Sequence, residues 1–294
     1  MEIVEVGPRD GLQNEALVLP ATHKVELIRR AIAAGVRRVE ATSFVHPGRV
    51  PQMADAEAVM AAVPRPPDVR YIGLVLNRRG FERAAAAGVD EVNMVVVATD
   101  EFNQRNQGAD TSETLAVWAE IADLARSAGI RPSVTIAAAF GCPFTGEVQT
   151  AQVVEVARAA AASSPTELAL ADTIGVAVPP QVRERLRAVA DVAPEVPLRL
   201  HLHNTRNTGY ANAWAALDAG VAALDASLGG IGGCPFAPAA TGNIATEDLC
   251  WMLERGGVAT GVDPQAAAEA GTWIADLLGK QSPALLGRAG GFPT

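Results

Sequence analysis

The sequence contains few cysteines and no run of basic residues. Cys142, Cys234 and Cys250 are the three cysteines among 294 residues. They are too few and too far apart for a disulfide framework or a Cys-rich zinc site, so we expect reduced thiols. The 24 Lys and Arg are outnumbered by 33 Asp and Glu, which gives a formal net charge of −9. Nucleic acid is therefore not an expected partner.

Long apolar runs and a secretory leader are missing as well. The sequence opens on a short strand-like run at residues 2–6, without the cationic region, apolar stretch and cleavage site of a signal peptide. No apolar run reaches the length needed to span a bilayer. We therefore expect no membrane association and a cytoplasmic location.

Short apolar runs alternate with Ala-rich helical segments eight times along the chain. Strands are predicted at 2–7, 37–44, 69–76, 91–98, 131–140, 166–173, 198–204 and 223–228. Helices are predicted at 20–34, 52–63, 79–87, 111–128, 150–162, 179–193, 208–219 and 246–256, with an extra helix at 264–278. Nearly apolar strands alternating with helices are typical of a parallel sheet covered on both faces. We therefore predict an α/β protein with a single (β/α)8 TIM-barrel domain over residues 1–294, and a mobile tail from about residue 283.

Polar residues follow several predicted strands at their carboxyl ends. They are Arg9 and Asp10 after the first strand, Glu40 in the second, Asp172 in the sixth, His201 and His203 in the seventh, and Cys234, Asn243 and Glu247 after the eighth. Active sites of TIM barrels are built at this end of the strands. We therefore expect these side chains to meet at one mouth of the barrel.

The two histidines of the seventh strand indicate a metal site. His201 and His203 are two residues apart, so both side chains leave the same face of a strand. The alternative interpretation is a pair of core histidines. With Asp10 and Asn243 they would offer two nitrogen and two oxygen ligands, a set that suits octahedral Mg²⁺ or Mn²⁺ and leaves Zn²⁺ or Co²⁺ open.

Three further charged residues are interpreted as functional. Arg9 adjoins the predicted ligand Asp10, and a fixed guanidinium can hold an enolate or carboxylate oxygen through charge-assisted hydrogen bonds. Its ordinary alternative is a surface ion pair. Glu40 and Asp172 are candidates either for acid/base chemistry or for orienting neighbouring groups, and the sequence leaves these two roles open.

A glycine-rich segment surrounds Cys234. A dinucleotide fingerprint would open a helix here, but Pro235 and Pro238 interrupt any helix start. Glycines on both sides of one thiol favour a lid that carries Cys234 over the site and excludes water from a carbanion. The alternative is an inert cysteine buried in a tight turn.

Several of these segments resemble the 3-hydroxy-3-methylglutaryl-CoA (HMG-CoA) lyases. The matching segments are EVGPRDGLQNE at 5–15, ATSF at 41–44, DTIGV at 172–176, HLH at 201–203, GGIGGCPF at 229–236 and GNIATEDL at 242–249. The resemblance runs nearly end to end. It implies a dimeric TIM-barrel metallolyase that takes an acyl-CoA substrate and cleaves HMG-CoA to acetoacetate and acetyl-CoA.

The same resemblance assigns roles to individual residues. Asp10, His201, His203 and Asn243 match the metal site of the family, and Arg9, Glu40, Asp172, Cys234 and Glu247 match its functional residues. The chain departs from the animal enzymes in the fifth strand, where Ser133 and Thr135 replace an Arg and a Tyr near the acyl group.

This departure leaves other functions open. The alternatives are a lyase for a related 3-hydroxy-3-substituted acyl-CoA, a Claisen-type condensing synthase, and a barrel that only binds a partner. The phosphates of CoA would need cations at the rim of the site. Lys280, Arg49 and Arg78 are candidates for that role.

Overall fold

Eight parallel strands close into a barrel in the order in which they occur along the chain. The computed structural model describes residues 1–233 and 242–292. The strands are β1 (Glu2–Glu5), β2 (Arg38–Ser43), β3 (Arg70–Val75), β4 (Glu91–Val97), β5 (Arg131–Ala137), β6 (Glu167–Asp172), β7 (Leu198–Leu202) and β8 (Ala223–Ala226). The barrel closes because β1 pairs in parallel with both β2 and β8. The predicted TIM barrel is confirmed, and each predicted strand contains one observed strand.

The helices pack around the outside of the barrel. They are α1 (Ala21–Ala33), α2 (Ala56–Ala62), α3 (Arg78–Ala86), α4 (Asp100–Gln107), α5 (Thr111–Ser127), α6 (Thr150–Ala161), α7 (Pro179–Val192), α8 (Gly209–Asp218), α9 (Thr246–Arg255), α10 (Pro264–Leu277) and α11 (Leu286–Ala289). The extra helix predicted at 264–278 is α10. Strand β5 ends earlier than predicted, because Ala138 takes a left-handed conformation with φ of 55° and interrupts the extended backbone.

Helix α4 has no counterpart in the sequence prediction. Its sequence, DEFNQRNQ, lacks the apolar periodicity that marks a helix. Its two buried residues hold it instead, because the Phe102 ring packs edge-on against Phe144 and Asn103 binds the segment that follows the helix. The Asn103 side chain donates to the carbonyls of Ala109 and Asp110, at 3.0 and 2.8 Å. Such contacts lie outside what a local pattern can show.

A layer of charges fills the amino-terminal half of the barrel interior. Arg38 of β2 donates to Glu91 of β4 at 2.6 Å and to Glu167 of β6 at 2.7 and 2.8 Å. All three residues are buried. These strands are not neighbours in the sheet, so their side chains meet only through the interior, as expected for a layer built from alternate strands. This layer closes the barrel at the amino-terminal ends of the strands, and the polar mouth lies at their carboxyl ends.

The end of the chain folds back onto α9. Leu286 is buried, and the Asp248 carboxylate accepts hydrogen bonds from the amides of Leu285 and Leu286, at 2.8 and 2.7 Å. The predicted mobility of the tail and the extent of a single domain stay predictions. Among helices within 1–233 and 242–292, none is both long and apolar enough to cross a membrane.

Candidate active site

The backbone turn after β1 carries Arg9 and Asp10. The strand stops at Glu5 and continues into a single π-helical turn, Gly7–Gly11. Pro8 has no amide hydrogen with which to extend a strand ladder. The amides of Arg9 and Gly11 instead turn back to the Val6 carbonyl, at 3.2 and 3.1 Å. This turn brings both side chains to the mouth of the barrel.

The two histidines of β7 face the Asp10 carboxylate. Each Nε2 atom lies 3.9 Å from Asp10 Oδ2, and the ring centroids are 5.0 Å apart. His203 also forms an isolated bridge with Asn243, which brings that residue from the far side of the β8 loop. Asn243 Nδ2 donates to Asp10 Oδ2 at 2.9 Å. The structure thus brings together all four predicted metal ligands.

The chemistry of this cluster fits a divalent cation. One ligand atom from each of Asp10, His201 and His203 lies within 4.8 Å of the others. The 3.9 Å separations are below about 4.2 Å, twice a typical Mg–O or Zn–N bond, so one ion can reach both atoms of each pair. Asn243 Oδ1 is buried and accepts no hydrogen bond from the described residues. An orphaned buried acceptor beside a carboxylate is a group that a hard cation would satisfy.

Arg9 is fixed between two carboxylates. Its Nε donates to Glu40 Oε2 at 2.7 Å, and its Nη1 donates to Asp10 Oδ1 at 2.8 Å. Burial opposes the charge on Arg9, but Glu40 and Asp10 outweigh it and raise the pKa of the guanidinium. Burial likewise favours a neutral Asp10, but Arg9 and the two histidines prevail and hold its pKa well below the usual range. Both groups are therefore charged at neutral pH.

Glu40 is engaged on both of its oxygens. Oε2 accepts from Arg9, and Oε1 accepts from Asn93 Nδ2 at 3.2 Å. Thr135 in turn donates to Asn93 Oδ1 at 3.0 Å. A chain of hydrogen bonds therefore runs from β5 through β4 and β2 to Arg9. This position suits the orienting role that the sequence left open for Glu40.

Asp172 lies at the end of β6 and shapes the following loop. It is fully buried, and its carboxylate accepts from the amides of Val176 and Ala177, at 2.9 and 3.0 Å. Burial raises the pKa of Asp172, while these two amides oppose the shift. Because both oxygens are committed to backbone amides, the geometry favours an orienting role here as well.

Glu247 and Glu5 bind the backbone that directly follows β8, at Leu228 and Gly229. Glu247 accepts from the Gly229 amide at 3.0 Å. Glu5 accepts from the amides of Gly7 and Leu228 and from the Thr246 hydroxyl, at 2.8, 2.9 and 2.6 Å. Burial raises the pKa of Glu247 to about 8 and that of Glu5 to about 7. The two acids thus bind the backbone at Leu228 and Gly229 and carry a proton at pH values where exposed carboxyls are ionised.

Glu247→Gln is expected to change how stability depends on pH. The Glu247 carboxyl of the unfolded chain releases its proton near pH 4.5, whereas that of the folded chain keeps it up to about pH 8. The free energy of unfolding of the wild type therefore falls as the pH rises towards about 8. Gln keeps an oxygen for the Gly229 amide and removes the ionisation. Between about pH 6 and about pH 9, the variant should gain on the order of 2 kcal/mol relative to the wild type in urea unfolding.

Glu254→Gln on the same helix is the control for this experiment. The hydrogen bond that Thr260 donates to Glu254 lowers the pKa of that exposed carboxyl, so its titration lies below the tested range. Parallel stability curves for wild type and Glu247→Gln would mean that Glu247 is already ionised at the lower pH.

The cysteines divide into two groups. Cys142 is buried after β5, with its sulfur 3.2 Å from the Thr99 hydroxyl, and Cys250 is buried in α9. Cys234 lies outside the described residues, so its role as a proton donor on a lid stays a prediction.

A cavity of about 710 Å³ opens beside the cluster. Arg9, Asp10, His201 and His203 line it. Of the other predicted site residues that the structure describes, Glu40, Asp172, Asn243 and Glu247 are not part of its wall. Four of the predicted site residues therefore line the cavity, and four contact those residues or the adjoining backbone without lining it.

Sequence reasoning missed three polar residues of this region. They are Glu5, Asn93 and Asp225. Asp225 Oδ2 lies 3.1 Å from His201 Nδ1, and both Asp225 and Asn93 line the cavity. Asp225 is the one polar residue of β8, and that exception to the pattern was the available signal, whereas Glu5 shares β1 with Glu2 and Asn93 shares β4 with Glu91.

A family model described as HMGL-like matches residues 1–274. The chain belongs to the HMGL-like family. Among its relatives, (R)-citramalyl-CoA lyase of Chloroflexus aurantiacus is 48% identical over 98% of this chain and 94% of that protein. Mitochondrial hydroxymethylglutaryl-CoA lyase of Bos taurus is 41% identical over 98% of this chain and 89% of that protein.

A solved structure agrees with these sequence matches. The HMG-CoA lyase of Acinetobacter baumannii, in complex with coenzyme A and 3-methylmalate, superimposes with a TM-score of 0.94. It is 37% identical and covers 100% of this chain and 97% of that chain. The predicted resemblance to HMG-CoA lyases and the predicted lyase class are confirmed by the HMGL-like family, its relatives and this fold.

Proposed function

We propose that this HMGL-like protein is a divalent-metal-dependent lyase that cleaves a carboxylated 3-hydroxy-3-methyl acyl-CoA to acetyl-CoA and an oxo acid. The observation that carries the proposal is the cluster of Asp10, His201, His203 and Asn243, of which the first three line one cavity together with the fixed guanidinium of Arg9. The complex of a structural relative with coenzyme A and a hydroxy dicarboxylate supports an acyl-CoA substrate of this kind.

The reaction is a retro-Claisen cleavage. A base removes the proton of the tertiary hydroxyl, a C=O bond forms at that carbon, and the bond to the carbon next to the thioester breaks. The electron pair becomes a thioester enolate, which takes up a proton to give acetyl-CoA. A divalent ion held by Asp10, His201, His203 and Asn243 would lower the pKa of the substrate hydroxyl and neutralise charge on its carboxylate.

Arg9 has the position and charge to stabilise the enolate oxygen. It lines the cavity, and its charge is maintained by Glu40 and Asp10. A preorganised cation aimed at developing charge is among the largest contributions to catalysis. Glu40 and Asp172 would act through the groups they hold, and Cys234 is the proposed source of the final proton. Arg49, which also lines the cavity, is the proposed contact for the CoA phosphates.

HMG-CoA is the first substrate to test, with acetoacetate as the second product. The wall of the cavity favours a second candidate, (R)-citramalyl-CoA, which would yield pyruvate. On the β4 to β6 side this wall consists of neutral residues, among them Asn93, Thr135 and Thr173. In the citramalyl group the carboxylate is attached to the carbinol carbon, so one cation can bind it together with the hydroxyl. A carboxylate one methylene further away would gain more from a separate cation on this wall.

The two thioesters can be compared directly in the purified protein with Mg²⁺ present. The neutral wall predicts a higher kcat/KM for (R)-citramalyl-CoA, on the order of 10-fold, which is the usual discrimination for one methylene. Pyruvate and acetoacetate distinguish the two routes. The reverse order would assign the enzyme to HMG-CoA, and cleavage of neither thioester would refute the proposed function.

A further inference from the structure

The two histidines at the mouth of the barrel have different surroundings. His201 Nδ1 lies 3.1 Å from Asp225 Oδ2, and both residues are buried. His203 is buried too, but its Nδ1 atom has no hydrogen-bond partner among the described residues. A neutral imidazole nitrogen at this distance from a carboxylate oxygen must carry the proton. His201 Nε2, which faces Asp10, then keeps its lone pair.

Asp225 is itself held by the buried charges below it. Its Oδ1 atom accepts from Arg199 Nη1 at 3.2 Å, and Arg199 Nε lies 2.8 Å from Glu167. Glu167 is bound in turn by both terminal nitrogens of Arg38. All of these side chains are almost fully buried, so each charge depends on its neighbours for compensation. The series links the amino-terminal charge layer of the barrel to one histidine at its mouth.

We propose that Asp225 is a positioning residue which, anchored by Arg199, fixes His201 in the Nδ1-protonated tautomer and leaves Nε2 free to bind a metal. The inference rests on the metal site of the proposed function. Carboxylate partners of ligating histidines orient the ring and raise its basicity, and their loss typically lowers metal affinity 10- to 100-fold. His203 has no such partner, so the two histidines contribute unequally.

The first test is made on the metal-free protein, so it is independent of the reaction. Nitrogen-15 NMR of the histidine side chains, recorded over a pH series, distinguishes the two tautomers. We expect His201 to carry its proton on Nδ1 in the wild type and to populate the Nε2-protonated form in Asp225→Ala. His203 is the internal reference, and its spectrum should change little.

The second test is a calorimetric titration of the metal-free protein with Mn²⁺ alone. Asp225→Ala should bind Mn²⁺ about 10- to 100-fold more weakly. Asp225→Asn preserves the shape of the side chain and one oxygen acceptor, so it keeps the fold and should show a smaller loss of several-fold. Glu91→Gln is the matched control in the same charge network, because Arg38 retains Glu167 as a partner. It should leave both the His201 tautomer and the Mn²⁺ affinity unchanged.

The outcomes separate this inference from the proposed function. The role of Asp225 would be overturned if Asp225→Ala kept both the wild-type Mn²⁺ affinity and the wild-type His201 tautomer, even with acetyl-CoA still released. Where the Ala variant fails to fold, the same result in Asp225→Asn would overturn it. A protein that shows the expected tautomer and affinity changes but cleaves neither thioester would retain the positioning role and lose the proposed reaction.

Discussion

His203→Ala is expected to reduce the affinity for Mg²⁺ and Mn²⁺ by on the order of 100-fold or more and to abolish acetyl-CoA release. The substitution removes one of four clustered ligands. In the wild type, His203 Nε2 lies 3.9 Å from Asp10 Oδ2. Asp10, His201 and Asn243 would remain, with a single nitrogen ligand among them, so the cation would be bound more weakly and exchange with solvent more readily. Metal content after gel filtration and titration calorimetry measure the effect.

His23→Ala is the matched control for this variant. His23 lies on helix α1 and does not line the cavity. The control should retain wild-type metal content and turnover. If His203→Ala bound metal as tightly as His23→Ala, the cluster would have to be interpreted as a pair of core histidines, the alternative that the sequence had left open.

Arg9→Lys is expected to lower kcat on the order of 100-fold or more, with metal binding and folding retained. Lysine keeps the positive charge but loses the planar fork that bonds Glu40 through Nε and Asp10 through Nη1. The ammonium group would have no fixed direction towards the enolate oxygen. Steady-state kinetics, with metal titration as a second readout, measure the loss.

Arg37→Lys provides the control for this substitution. Arg37 is an exposed residue that pairs with Asp68 at 2.7 Å and does not line the cavity, so the same chemical change there should leave kcat unchanged. A kcat for Arg9→Lys within a few-fold of this control would make Arg9 a structural residue and remove it from the proposed mechanism.

The alternation of apolar strands and helices was enough to predict the barrel. The strand residues are buried on both faces, and that double burial produces the nearly continuous apolar runs on which the prediction depended. The spacing of His201 and His203 was equally informative, because side chains two apart on a strand share a face. Asn243 was joined to them because it offers an oxygen ligand and follows the eighth strand, but its bridge to His203, which spans the entire β8 loop, is visible only in the structure.

The residues that the sequence did not reveal are those whose partners are distant in the chain. Asp225 contacts His201 across two neighbouring strands, and Glu5 binds the backbone of Leu228 and the side chain of Thr246. A local pattern shows that each is a polar residue of a short strand but gives no information about its partner. The orienting positions of Glu40 and Asp172 were open for the same reason, because their hydrogen-bond partners were unknown.

The acyl end of the substrate depends on differences smaller than those that determine the fold. Thr135 and Asn93 form a neutral, hydrogen-bonded part of the cavity wall, where the sequence alone showed only that an Arg and a Tyr were missing. Homodimerisation, a cytoplasmic location and the identity of the metal stay predictions. The catalytic role of Cys234 does too, since that residue lies outside 1–233 and 242–292.

The most direct test of the account is acetyl-CoA release by the purified protein after exhaustive chelation, with HMG-CoA and (R)-citramalyl-CoA as substrates. We predict no cleavage by the metal-stripped protein and recovery when Mg²⁺ or Mn²⁺ is restored, because Asp10, His201, His203 and Asn243 then regain the ion for which their arrangement is suited. Full cleavage of either thioester by the stripped protein, or no cleavage with metal restored, would contradict the proposed metal-dependent lyase.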